Sequence, residues 1–293
     1  MRIRIKVPTK KKLILYISAL CIVGVFLAFT LFEKEKDLQY DIVILGDSVI
    51  GNVGPDGLAL TDYIEECLGK STFKGGLGGT SMSVQSGNLW GSVSNMEWSM
   101  IKLATAMRDD DWKSQFATLS YAESYQDVSN QILSYFPETI DALSRIDFST
   151  VEILVIEHGT NDYGRGVPID NEENQFDVTT FGGALRTALK MLQEKYPKLR
   201  IVIMSPIYCS LGENREKKSY NTKYGEGGYL EEYVEKEKQI AEEFGVEWVD
   251  AYHYSGIDES NEELYLIDGL HLSSEGHKKL GLFLADYLET NKR

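Results

Sequence analysis

The chain has 293 residues, 43% of them apolar, which is enough for one large domain with a substantial core. Its formal net charge of −15 gives an acidic surface that repels phosphate backbones, so nucleic acid is not an expected partner. Three cysteines are too few for a disulfide framework, and their spacing matches no zinc site. We expect Cys67 and Cys209 to be buried thiols, although the two could pair in an oxidising compartment.

The first 32 residues have the pattern of a membrane anchor. Residues 1–12 carry six basic side chains, and residues 13–32 form an uncharged, mostly apolar run. A helix of that length, at ~1.5 Å per residue, crosses a hydrocarbon core of ~30 Å, and the basic flank predicts a cytoplasmic N-terminus with the rest outside the cell. The alternative is a cleaved signal peptide, but bulky Phe29, Leu31 and Phe32 stand where a cleavage site has small residues.

A polar linker at residues 33–39 leads to one predicted domain at residues 40–293, which carries a net charge near −21 with the linker included. The apolar patterns predict strands at residues 41–45, 151–156, 201–204 and 246–249, and helices at residues 58–68, 179–196, 229–244 and 273–290. Because strands alternate with helices, we predict an α/β fold, a three-layer α/β/α sandwich with a central parallel sheet.

Three stretches depart from this alternation. Residues 74–80 predict a glycine-rich loop, and residues 207–228 predict a loop over the same sheet edge as the strand ends. Residues 85–146 predict a mostly helical insertion. Its aromatic side chains could stack on sugars, but core packing is the more common use; they are Trp90, Trp98, Trp112, Tyr121, Tyr125 and Tyr135.

Four side chains with useful chemistry follow predicted strands or lie near the last helix. Ser48 follows the first strand, Asn161 follows the second, and Asp268 and His271 precede the final helix. The carboxyl ends of parallel strands share one edge of a sheet, so the first two should meet there, and the last loop must return to that edge. His271 could then accept the proton of Ser48, oriented by Asp268, while the Asn161 amide stabilises an oxyanion. Each segment alone also fits ordinary turn chemistry.

The remaining histidines give weaker signals. We expect His158, just before the Asn161 turn, to be buried and hydrogen-bonded, and His277 to face solvent. No ligand spacing supports a metal site built from these histidines with Asp47 or Asp162.

In order and strand context, these segments resemble the SGNH (GDSL-type) hydrolase family of esterases, lipases and carbohydrate deacetylases. The resemblance covers most of the chain beyond the anchor and implies a flavodoxin-like fold. It rests on Gly46-Asp47-Ser48, the glycines before Thr80, Gly159-Thr160-Asn161-Asp162 and Asp268-Gly269-Leu270-His271. It implies Ser48 as nucleophile, with Asp268 and His271 completing a catalytic triad.

The resemblance also implies an oxyanion hole formed by Ser48, Gly79 and Asn161. Gly78 and Gly76 are alternatives to Gly79, because Lys74 stands where the family often has asparagine.

The predicted function is therefore that of an exported serine esterase that needs no metal or other cofactor. Its expected partners are the membrane, through residues 13–32, and an acyl ester substrate. Export and the aromatic insertion favour a small acyl group, acetyl, on a cell-surface or extracellular carbohydrate. The alternatives are acyl transfer to a glycan hydroxyl, a lipase or thioesterase with a long apolar groove, and a catalytically silent glycan-binding protein. That last protein would have no use for a general base.

Overall fold

The computed structural model describes residues 35–84, 97–124 and 134–291. The predicted anchor at residues 13–32 lies outside these ranges, as do Trp90, Tyr125 and the side chain of Tyr121. Within the described ranges, no helix has the length and apolarity needed to cross a bilayer. Every element described below lies in the compact unit Leu38–Arg293.

A central sheet of parallel strands organises the fold. Its members are β1 (Ile42–Gly46), β2 (Thr72–Gly76), β3 (Ile153–Glu157), β4 (Arg200–Met204) and β7 (Glu247–Val249). They lie in the order β2-β1-β3-β4-β7, while β5 (Ser210–Leu211) and β6 (Lys217–Lys218) form a separate antiparallel hairpin. Four of the sheet strands agree with those predicted from the sequence. After β1 the chain adds β2 on one side of β1, and it later adds β3 on the other side. The strands β1 and β3 therefore flank the topological switch point of the sheet.

Helices cover both faces of this sheet. They are α1 (Ser48–Gly51), α2 (Leu60–Leu68), α3 (Met100–Asp109), α4 (Lys113–Ser124), α5 (Phe136–Arg145), α6 (Thr160–Arg165), α7 (Phe181–Lys195), α8 (Leu230–Phe244), α9 (Ala251–Tyr254), α10 (Glu262–Tyr265) and α11 (Ser274–Thr290). Alternate residues of β1 point to opposite layers. Ile42 and Ile44 pack with α2 and α11, whereas Val43 and Leu45 pack in the core formed with α3, α5, α7 and α8. The predicted α/β class with a parallel sheet is thus confirmed.

The edge strand β2 corrects the prediction of a loop over residues 74–80. Residues 74–76 pair with β1, and only residues 77–80 turn. Of the glycines that indicated a loop, Gly75 and Gly76 serve close packing in β2, whereas Gly79 lies in the turn with φ +74°. A Cβ at Gly76 would lie 2.2 Å from the backbone nitrogen of Gly51, and one at Gly75 would lie 2.7 Å from the Leu45 side chain.

The described parts of residues 85–146 are mostly helical, as predicted, and contribute α3, α4 and α5. Trp98 is fully buried, with its ring 5.2 Å from that of Phe136 in an edge-to-face contact, and Trp112 is 6% exposed. These two tryptophans therefore stabilise the core and are not available to stack on a sugar.

The expectation of two buried thiols is wrong for one cysteine. Cys209 is buried, but Cys67 is exposed, and both are free. Cys67 lies on the solvent face of amphipathic α2, whose buried side includes Leu60 and Ile64.

Candidate active site

Ser48 is the first residue of α1, directly beyond the carboxyl end of β1. Asp47 caps this short helix, since its Oδ1 accepts the backbone N–H of Val49 at 2.8 Å. The abrupt change from strand to helix requires a glycine before the cap. A Cβ at Gly46 would lie 2.2 Å from Ile50 Cγ1 and 2.9 Å from a β3 carbonyl oxygen. The turn holds the Ser48 hydroxyl at the sheet edge in a largely buried position.

A chain of hydrogen bonds joins Ser48 to the loop before α11. His271 Nε2 lies 3.0 Å from Ser48 Oγ, and His271 Nδ1 lies 2.7 Å from Asp268 Oδ2. The other oxygen of Asp268 accepts the backbone N–H groups of Leu270 at 3.0 Å and His271 at 2.8 Å. An Nδ1–H donated to the carboxylate leaves Nε2 as the acceptor that faces the serine, the arrangement a general base requires.

The Asp268–His271 contact shifts the pKa values of both groups. Its hydrogen bond lowers the pKa of Asp268 far below the ordinary range, further than burial raises it. The same hydrogen bond raises the pKa of His271 above its usual 6.5, with partial opposition from burial. Both directions favour the charged pair that forms when the imidazole accepts a proton.

The β5–β6 hairpin supports this loop from outside. The backbone N–H of Ser210 donates to the Gly269 carbonyl at 2.7 Å, and Arg215 Nη2 donates to the Ile267 carbonyl at 2.9 Å. Gly269 has φ +85°, and a Cβ there would lie 2.3 Å from the Ser210 carbonyl oxygen. Part of the predicted loop at residues 207–228 thus contacts the segment that carries Asp268.

Asn161 begins the site's third segment, on α6 just beyond β3. Its Nδ2 donates to Asp47 Oδ2 at 2.8 Å, which ties the amide to the residue preceding the nucleophile. An amide nitrogen has two hydrogens, so one remains for another acceptor. Asp47 is fully buried, and burial raises its pKa to about 6 against the lowering effects of the Val49 N–H, His271 and Asn161.

The candidate glycines lie at the end of β2 and in the turn that follows. Gly76 ends the strand paired with Gly46, and the backbone N–H of Gly78 donates to the Tyr135 hydroxyl at 3.3 Å. Gly79 occupies the left-handed region, with φ +74°, and its carbonyl accepts Arg165 Nη2 at 2.6 Å.

Sequence reasoning missed three residues that shape this site. Asp47 had a signal, because it separates the glycine and serine of the first motif. Arg165 stands four residues after Asn161, one helical turn further along α6. Tyr135 comes from the insertion, where nothing local distinguishes it from the other aromatic residues.

The two remaining candidate histidines are both buried. His158 is fully buried, as expected, with Nε2 3.4 Å from Thr80 Oγ1, and burial lowers its pKa to about 3. The prediction that His277 faces solvent is wrong, because it lies on the α11 face that packs against the sheet, with Leu280 and Leu284. Burial lowers its pKa to about 4. Across the described ranges, no group of three His, Cys, Asp or Glu side chains could hold a metal ion.

Comparison with known proteins gives a family and a fold. The sequence profile of the GDSL-like lipase/acylhydrolase family matches residues 44–279. One solved structure of similar fold, a protein from Lactobacillus plantarum, is 19% identical with a TM-score of 0.58, and the match covers 87% of this chain and 100% of the other. Another, described as a possible lipase from Chitinophaga pinensis DSM 2588, is 17% identical with a TM-score of 0.53, covering 86% and 98%. No protein with a curated description matches the chain.

Proposed function

We propose that this chain, which belongs to the GDSL-like lipase/acylhydrolase family of ester-hydrolysing serine hydrolases, cleaves its ester with Ser48, His271 and Asp268 as a catalytic triad. The observation that carries the proposal is the unbroken set of contacts from Asp268 through His271 to Ser48, at 2.7 and 3.0 Å. These three residues lie up to 223 positions apart in the chain, so local turn sequence alone does not bring them together.

The reaction begins at the Ser48 hydroxyl. His271 Nε2 accepts the hydroxyl proton while Ser48 Oγ forms a bond to the ester carbonyl carbon, and the Asp268 carboxylate offsets the imidazolium charge. The tetrahedral intermediate then collapses, the ester C–O bond breaks, and His271 gives the proton to the departing alcohol. Water, deprotonated by His271, attacks the acyl-enzyme and releases the acid and the restored serine.

Three N–H groups converge on the carbonyl oxygen in this mechanism. They belong to the backbones of Ser48 and Gly79 and to the hydrogen of the Asn161 amide that Asp47 does not use. A donor of this kind typically contributes ~3 kcal/mol to transition-state stabilisation. The Asn161–Asp47 hydrogen bond supports this assignment because it limits the rotation of the amide beside the nucleophile.

For the substrate we propose a small acyl group, acetyl, on a carbohydrate outside the cell. The buried tryptophans remove one argument for a sugar, but polar groups near the nucleophile supply another. The Asn52 amide oxygen lies 3.4 Å from the Tyr135 hydroxyl, beside the carboxyl-terminal end of α1. Polar groups of this kind suit an alcohol rich in hydroxyls better than a long acyl chain. Transfer of the acyl group to a glycan hydroxyl would use the same residues.

Labelling of the full-length chain with a fluorophosphonate, followed by peptide mapping, tests the triad. We expect the label on Ser48, turnover of p-nitrophenyl acetate by the native chain, and neither in Ser48→Ala. Turnover that survives in Ser48→Ala would overturn the assignment. Product analysis with a glycan acceptor present separates hydrolysis from acyl transfer.

We also propose that residues 13–32 retain the protein in the cell membrane with the catalytic domain outside. The length of the apolar run and the basic residues before it support this topology. Mass spectrometry of the mature N-terminus tests it, since an intact residue 1–32 segment is expected and a terminus beyond residue 32 would indicate cleavage.

A further inference from the structure

The proposed oxyanion donors Gly79 and Asn161 come from separate segments of the chain. Both must lie within ~2.7–3.1 Å of one oxygen atom for the charge to be stabilised. Their separation must therefore be controlled by contacts between residues 77–80, here called the glycine turn, and α6. The structure provides two such contacts, both from side chains of α6 itself.

Arg165 makes the first contact. Its Nη2 donates to the Gly79 carbonyl at 2.6 Å, and its Nη1 donates to the Ser81 hydroxyl. A guanidinium presents these two donors in a planar fork, so the contact sets orientation as well as distance. The residues it joins are 86 positions apart.

Asp162 makes the second contact, with the two residues that follow Ser81. One carboxylate oxygen accepts the backbone N–H of Met82 at 2.7 Å, and the other accepts the Ser83 hydroxyl at 2.5 Å and its backbone N–H at 3.2 Å. Asp162 thus holds residues 82–83, while Arg165 holds residues 79 and 81. Both follow Asn161 on the same short helix.

Gly79 depends on such support more than other residues would. Its φ of +74° is open to glycine at little cost, and it has no side chain whose packing could hold the peptide in place. The turn is closed across Gly79 by the Thr80 N–H and hydroxyl, which both donate to the Leu77 carbonyl, at 3.2 and 2.7 Å. The Gly79 carbonyl, however, points to Arg165. A charge-assisted hydrogen bond at that oxygen restricts rotation about the Gly79 backbone.

We propose that Arg165 is a positioning residue for ester hydrolysis, whose guanidinium holds the Gly79 peptide so that its N–H and the Asn161 amide face the same oxyanion. This inference rests on the proposed function. Arg165 itself touches the glycine turn and not the reacting atoms. Its loss should therefore reduce the rate of the chemical step and leave substrate binding unchanged.

The test compares Arg165→Met and Arg165→Lys with Arg186→Met in the full-length chain. Arg186 is a matched control, since it is buried and paired with Asp170 at 3.0 Å and Glu243 at 2.8 Å, away from the glycine turn. A misplacement of about 1 Å typically costs about 100-fold in rate, so we expect kcat to fall about 10- to 100-fold in Arg165→Met with KM unchanged. Arg165→Lys should recover part of the loss, and fluorophosphonate labelling of Ser48 should slow in parallel with kcat. Arg186→Met should lower thermal stability with kcat unchanged.

Three results would overturn the inference. They are an unchanged kcat in folded Arg165 variants, a raised KM at constant kcat, or losses that follow the unfolded fraction measured by circular dichroism. Should Arg165→Met fail to fold, Arg165→Lys decides, because it keeps the charge but loses the fork. Failure of the native chain to label at Ser48 would instead refute the proposed function, so the two outcomes are distinct.

Discussion

Two segments of this chain share the pattern Asp-x-x-His and the same aspartate–histidine hydrogen bonds, although their backbones differ. Asp250–His253 is the cap and first turn of α9, whereas Asp268–His271 is a bend in which Gly269 has φ +85°. In each, the histidine Nδ1 lies against the aspartate carboxylate, at 2.7 Å for Asp268–His271 and 2.9 Å for Asp250–His253. Each carboxylate also accepts the backbone N–H of its histidine, at 2.8 Å and 3.0 Å respectively. The local sequence is therefore sufficient to form the aspartate–histidine pair in both places.

The pairs differ in what faces the other ring nitrogen. His271 Nε2 meets the Ser48 hydroxyl at 3.0 Å, whereas His253 Nε2 meets the Glu231 carboxylate at 3.2 Å. Burial alone would lower the pKa of His253, but its hydrogen bonds to the Asp250 and Glu231 carboxylates outweigh burial and raise that pKa. His253 is thus suited to an ion pair, and His271, at the switch point of the sheet, is suited to proton transfer. A catalytic pair requires a nucleophile opposite it, and in the proposed mechanism Ser48 fills that place for Asp268–His271, whereas Asp250–His253 faces a carboxylate.

Replacement of each histidine by alanine tests this difference most strongly. We expect His271→Ala to lower kcat by about 10⁴-fold or more, because the ring nitrogen that faces the Ser48 hydroxyl is then lost. His253→Ala should leave turnover of p-nitrophenyl acetate unchanged. Equal losses in the two variants would show that the pairs are not distinguished in this way.

Replacement of each aspartate should give a smaller effect of the same kind. We expect Asp268→Asn to lower kcat by about 10²- to 10⁴-fold, since the amide cannot offset the imidazolium charge and favours the wrong tautomer. The side chain of Asp268 is 54% exposed, so water can partly replace it, which favours the lower part of that range. Asp250→Asn serves as the control, and any comparable loss there would contradict the assignment.

The pH dependence of kcat/KM sharpens the comparison further. A general base must be unprotonated, so activity should fall as pH drops through the pKa of His271, which Asp268 raises above 6.5. In Asp268→Asn the raising hydrogen bond is lost, and the midpoint of the residual activity should move to lower pH. A profile that responds instead to Asp250→Asn would indicate the wrong histidine.

The smallest effect is expected from replacement of the buried His277, and it concerns the stability of the folded chain in acid. The pKa of His277 is lowered to about 4 in the folded chain, so between pH 6.5 and 4 the unfolded chain binds a proton that the folded chain does not. The free energy of unfolding should therefore fall as pH falls through this window, by at most ~1.4 kcal/mol per pH unit for this group. Urea unfolding at pH 7.5 and 5 should show a smaller loss in His277→Leu.

His253 is the natural control for that measurement. Its folded pKa is raised, so its contribution to stability is complete below the unfolded value and is lost as pH rises through the folded one. His253→Gln should therefore reduce stability more at pH 5 than at pH 7.5. If both substitutions became more destabilising from pH 7.5 to pH 5, or both less destabilising, the assigned environments of His277 and His253 would be contradicted.

Local patterns in the sequence were enough to predict four of the sheet strands and the helices that alternate with them. The same patterns gave the turns that carry Ser48, Asn161 and His271, because apolar periodicity, glycine and capping residues act over a few neighbouring positions. They were insufficient for β2, whose glycines serve close packing rather than a loop, and for His277, whose burial depends on which face of α11 meets the sheet.

Contacts between distant segments were decided by the tertiary structure alone. The aspartate–histidine hydrogen bonds alone do not distinguish Asp268–His271 from Asp250–His253. The family resemblance pointed to the first pair, and the structure shows that the partners differ: Ser48, 223 positions from His271, in one case and Glu231 in the other. The Arg165–Gly79 contact likewise joins residues 86 positions apart. Such pairs form only when the strand order brings the ends of β1, β2 and β3 to one edge, and periodicity within a segment carries no information about that order.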